Sequence, residues 1–124
     1  MIVVDTNVMV YLLTGGERGD AAARLLREDP EWAAPGVLLS ELRNVLLGLV
    51  RGERLGLEDA LAMHADARNV LHERVAGVDG GAVLETALAS GLSAYDAEFV
   101  VLARALGVRL VSMDRAILTG APDV

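Results

Sequence analysis

The chain opens on a short unbroken apolar run, Ile2-Val3-Val4, that stops at an acid, Asp5. Thr6 and Asn7 follow, and then a second apolar run from Val8 to Leu13. A short continuous run of branched aliphatic residues predicts a buried parallel strand. The second run predicts a short helix, which Thr14-Gly15-Gly16 stops. Glu17 to Arg27 reads as a polar-faced helix, Pro30 breaks the chain, and Trp32-Ala33-Ala34 predicts a second strand. Pro35-Gly36 opens a long helix from Val37 to about Gly52, with Leu38, Leu42, Val45, Leu46 and Leu49 at helical spacing as its expected buried stripe. Gly56 to His72 reads as another helix, supported by Leu57, Ala60, Leu61 and Leu71. A short strand is expected over Arg74 to Val78 and a helix over Ala82 to Ala89. Ser93 starts a further helix that runs to Leu106 and ends at Gly107. Val108 to Ser112 is the clearest late strand, and Arg115 to Leu118 is at most one helical turn.

Strands separated by helices predict an α/β protein with a parallel sheet and right-handed crossovers. No internal repeat, low-complexity tract or linker divides the pattern, so residues 1–124 read as a single domain. In such sheets ligands bind beyond the carboxyl ends of the strands, where the strand order reverses. The acids near strand ends are therefore the positions to weigh.

Composition narrows the classes. Apolar residues make up 53% of the chain and aromatic ones only 3%, so the core is aliphatic. The absence of cysteine excludes disulfides and thiolate metal sites. No stretch reaches the roughly 18 unbroken apolar residues of a membrane span, and the start of the chain lacks the cationic character of a signal peptide. A cytoplasmic protein is expected. All 11 basic residues are arginine, and the net charge is −7. That charge weighs against nucleic-acid binding, where phosphate contacts supply most of the affinity.

Four acids hold the candidate chemistry, and each also has an ordinary explanation. Asp5 ends the first strand, where Asp is a favoured helix cap. Glu41 lies early in the long helix between Leu38 and Val45, where a carboxylate also favours the positive helix start. Asp96 follows Ser93 at capping-box spacing, but Phe99, Val100 and Ala103 share its face. Asp114 closes the last strand, where it can cap the following turn. Taken singly, the capping explanations lead for Asp5 and Asp114. Taken together, the four can converge at one end of a parallel sheet. Like charges about 4 Å apart repel by roughly 4 kcal/mol at an effective dielectric of 20, so such a group needs cations. An oxygen-only donor set suits Mg²⁺ or Mn²⁺, and one or two such ions can activate a water against a phosphodiester.

The segments IVVDTNV at the start, LSEL around Glu41 and SAYDAEFVVLARALGVRLVSMDR near the end, in this order and spacing, resemble the PIN domain family. Within it the chain is similar to the VapC-like toxin ribonucleases of type II toxin–antitoxin pairs. The resemblance implies a three-layer α/β/α, Rossmann-like fold with a central, mostly parallel sheet of four to five strands. It implies that Asp5, Glu41, Asp96 and Asp114 are the acidic metal-binding and catalytic quartet. Beyond the resemblance, Asp5 and Asp96 are expected to hold the principal Mg²⁺, with Glu41 and Asp114 completing its shell directly or through water. Thr6 and Asn7 match small polar residues that support the first acid, and Ser112 stands where Thr is usual. The implied activity is Mg²⁺-dependent endonucleolytic cleavage of RNA, of the transfer or ribosomal class. The implied partners are a second copy of the chain and a small antitoxin whose tail blocks the site.

Two departures accompany the match. Only ten residues follow Asp114, so a fifth strand is short or missing. Arg115, Ala116 and Ile117 occupy positions where some relatives carry further acids, which bears on a second metal. Arg43 and Arg115, with Arg51 and Arg54, are candidates for RNA contact, while His64 and His72 read as solvated residues without a role. Two other functions are weighed. A phosphatase with Asp5 as nucleophile lacks the usual second acid, since Asn7 stands two residues on. A catalytically inactive PIN-like module that binds a protein partner would use the apolar run Leu46-Leu47-Gly48-Leu49-Val50.

Overall fold

The computed structural model describes all residues but 114 and 122, and only the backbone of 115, 116 and 119. The first strand, β1 (Ile2–Val4), is buried throughout, as an unbroken aliphatic run requires in a sheet covered on both faces. Asp5 then caps α1 (Thr6–Thr14), which turns directly into α2 (Gly16–Glu28). Next come β2 (Trp32–Pro35), α3 (Val37–Arg51), α4 (Leu57–Leu71) and β3 (Val75–Ala76). The chain finishes with α5 (Gly80–Ser90), α6 (Ala94–Leu106), β4 (Leu110–Val111) and α7 (Arg115–Gly120). No described helix is long and apolar enough to cross a membrane.

The strands form one sheet in the order β3-β2-β1-β4, and every neighbouring pair is parallel. Val3 pairs with Ala33 on one side and Leu110 on the other. Right-handed crossovers fix the layers. The steps β1 to β2 and β2 to β3 run the same way, so α1 to α4 share one face. The step from β3 back across to β4 runs the opposite way and places α5 and α6 on the other. Accordingly α6 packs across β1, β2 and β4, while α3 and α4 pack on β2. The strand order reverses at β1, beside β4.

The core follows the predicted stripes with informative exceptions. Trp32, Leu38, Leu42, Leu71 and Val100 are fully buried. Leu57 and Leu61, expected to support α4, are instead 63% and 62% exposed. The inward face of α4 runs through Ala60, Ala67 and Leu71, and the two alanines leave room for the helix to pack on β2. Val45 likewise leaves the α3 stripe, and Leu39 joins it. The last helix is longer than the single turn expected, and the described residues contain no fifth strand. Between α1 and α2, Gly19 is buried, and a Cβ there would stand 2.6 Å from the Tyr11 carbonyl oxygen.

Candidate active site

Asp5 leaves β1 at the carboxyl edge of the sheet, next to the end of β4, where its N–H donates to the Val111 carbonyl. Its side chain is only 4% exposed. One carboxylate oxygen, Oδ1, accepts the Val8 N–H at 2.9 Å, the N-cap bond of α1. The other, Oδ2, accepts the Ser112 hydroxyl at 2.5 Å. The cap and the strand-end roles therefore coexist in one carboxylate. A buried charge is tolerated when hydrogen bonds of this kind satisfy it.

Glu41 reaches the same region from the second turn of α3. Its Oε1 accepts the Thr6 hydroxyl at 2.7 Å. Thr6 thus supports Glu41 rather than Asp5, while Asn7 is exposed. Asp96 lies in the first turn of α6, which Ser93 caps by accepting the Asp96 N–H at 3.0 Å. Asp5, Glu41 and Asp96 line one cleft of about 480 Å³, with Thr6, Asn7, Ser40 and Asn44 as further polar wall and Val37, Val45, Phe99 and Ile117 as apolar wall. Tyr95 completes it. Asp114 lies outside the described residues, as does the Arg115 side chain.

The three described acids share the cleft, yet no three Asp, Glu or His side chains among the described residues stand close enough to hold one ion together. Arg43 lies elsewhere. It lines an apolar groove between α3 and α4, with Leu46, Leu47, Leu57 and Leu61. Its guanidinium stands 3.3 Å from His64 Nε2. His64, expected to be a solvated residue, is half-buried there. Desolvation first, and then Arg43 and Arg68, hold its pKa below the usual imidazole value. Ser40, Asn44 and Tyr95 escaped the sequence reading. Their one sequence signal is position, since each lies within three residues of a candidate acid.

A family model described as the PIN domain matches residues 2–119. The chain belongs to the PIN domain family. Solved structures share the fold of this PIN domain. PAE2754 from Pyrobaculum aerophilum superposes with a TM-score of 0.78 at 21% identity, over 97% of this chain and 78% of that one. VapC20 from Mycobacterium tuberculosis, a sarcin-ricin loop cleaving toxin, gives 0.69 at 24% identity, over 93% and 91%. A search of curated proteins finds no match.

Proposed function

We propose that this PIN domain is a Mg²⁺-dependent endoribonuclease and the toxin of a toxin–antitoxin pair. The observation that carries the reading is that Asp5, Glu41 and Asp96, from three separate elements, line one cleft at the carboxyl edge of a parallel sheet. The fold shared with VapC20, a toxin that cleaves the sarcin-ricin loop, supports RNA as the substrate.

The donor set fits the ion. Every polar donor atom offered by the described wall is an oxygen or an amide, and Mg²⁺ is usually held by one or two carboxylates, retained waters and substrate phosphates. A cage of three carboxylates is not required. Asp5 and Asp96 are the residues proposed to hold Mg²⁺, with Glu41 and Asp114 completing its shell directly or through water. When bound, the ion lowers the pKa of a water and offsets charge developing on the phosphodiester.

The chain's own residues keep the acids in place. The Val8 N–H and the Ser112 hydroxyl fix the Asp5 carboxylate in one orientation, and each oxygen retains a lone pair for a further partner. Thr6 fixes Glu41 in the same way. Phe99 and Ile117 wall the cleft with apolar surface, which strengthens every electrostatic contact inside it. The reading includes a cytoplasmic location, an antitoxin partner and a homodimer. The exposed Leu84 and Leu88 on α5, and Leu57 and Leu61 on α4, are apolar surface that such partners would cover. A sedimentation mass of 13.1 kDa rather than twice that would remove the homodimer.

The test is cleavage of total cellular RNA by the purified, antitoxin-free protein, with Mg²⁺, with EDTA and as Asp96→Asn, the cut ends being mapped by sequencing. Discrete cuts that vanish with EDTA and fall by about 100-fold or more in Asp96→Asn are expected. Full activity in Asp96→Asn would remove Asp96 from the site. No cuts by a folded protein would favour a binding module.

A further inference from the structure

We propose that Tyr95 is a stacking platform for the nucleobase beside the scissile phosphate. The inference rests on the nuclease reading and deepens it. The chain has only four Trp, Tyr and Phe residues, and three have structural positions. Trp32 and Phe99 are fully buried, and Tyr11 lies under the Arg18 guanidinium, 5.2 Å from the ring centroid. Tyr95 alone among them is exposed, at 63%, and it stands in the wall of the acidic cleft. Neither its ring nor its hydroxyl has a partner among the described residues.

Tyr95 shares the cleft wall with the three described acids. Tyr95 precedes Asp96 directly, so their Cα atoms are about 3.8 Å apart. A phosphodiester held in the cleft would have its flanking bases beside a wall that includes that ring. The cleft also needs a non-ionic hold on its substrate. The described residues that line it include three acids and no arginine. Backbone phosphates therefore gain little from the wall itself. An aromatic face offers an alternative that tolerates any base, since every base has a π-face. Asn44 and Asn7, in the same wall, present amides that can donate to and accept from a base edge.

The experiment is steady-state cleavage of an RNA oligonucleotide spanning the mapped cut, by wild type, Tyr95→Phe, Tyr95→Leu and Tyr95→Ala. The ring is exposed, so all four should share one melting temperature. Stacking predicts that Tyr95→Phe stays within about twofold of wild type. Tyr95→Ala and Tyr95→Leu should raise KM by about 5- to 100-fold with kcat little changed. Leucine keeps apolar bulk without a π-face and so separates stacking from simple burial. An unchanged KM in Tyr95→Ala, or a Phe variant as impaired as Ala, would overturn the platform while leaving the nuclease reading intact. Absence of any metal-dependent cut by wild type would instead remove the nuclease reading, and this inference with it.

Discussion

Ser112 donates to the buried Oδ2 of Asp5 from just beyond the end of β4, across 107 positions of sequence. Such a bond orients an acid much as outer-shell partners orient metal ligands, and losing one commonly costs 10- to 100-fold in affinity or activity. Ser112→Ala is therefore expected to lower kcat/KM for RNA by about 10- to 100-fold. Stability should fall by about 1–3 kcal/mol, because a buried carboxylate oxygen loses its donor. Ser112→Thr keeps the hydroxyl and should restore both. Parallel melting and cleavage curves check this, and wild-type kcat/KM in the Ala protein would deny Ser112 a positioning role. At this scale the sequence was informative about residue types and silent about pairings. An acid directly after an aliphatic strand is conspicuous, so Asp5 could be read. That Thr6 serves Glu41, 35 positions away, could not, because either neighbouring acid fits a threonine hydroxyl. Tyr95 and Asn44 carry no chemical mark until the fold sets them beside the acids.

The helices and strands were legible to within a few residues, since apolar periodicity and glycine punctuation largely decide them. Gly107, for example, ends α6 in a left-handed conformation as a glycine C-cap should. Faces were less legible. Of the four residues expected to support α4, Ala60 and Leu71 are buried but Leu57 and Leu61 are exposed, and Ala67 takes an inward position that the leucine pattern did not mark. A hydrophobic pattern reports amphipathicity and does not report the spacing between elements. The packing of α2 on α1 makes the same point through Gly19. A methyl there would overlap the Tyr11 carbonyl oxygen at 2.6 Å, and backbone cannot yield as a flexible side chain does. Gly19→Ala should gain a few tenths to about 1 kcal/mol from helix propensity. Overpacking should cost about 1–3 kcal/mol. The net expected change is a lower melting temperature. An equal or higher one would show that α2 can shift away from α1 without loss.

For the whole molecule, sequence order could not give strand order. Right-handed crossovers assign helices to faces once the order is known, but nothing local says that β4 lies beside β1 rather than beside β3. That placement brings Ser112 to Asp5 and Asp96 to their cleft. A chain of net charge −7 that is proposed to cut RNA also poses a charge problem at this scale. A protein that grips single-stranded nucleic acid through Z phosphate contacts loses affinity with a salt slope of roughly −0.7Z. The described cleft wall has no arginine, and Arg43 belongs to the groove between α3 and α4. One or two phosphate contacts would raise KM by only about three- to sevenfold between roughly 50 and 200 mM KCl. That shallow dependence is expected at constant Mg²⁺, since base stacking is not screened as ion pairs are. A rise of about 100-fold would mean that arginines such as Arg43, Arg51, Arg54 or Arg115 track the RNA backbone. Repeating the titration with Arg43→Ala and Arg115→Ala combined would then identify them, because each lost contact lowers the slope by about 0.7.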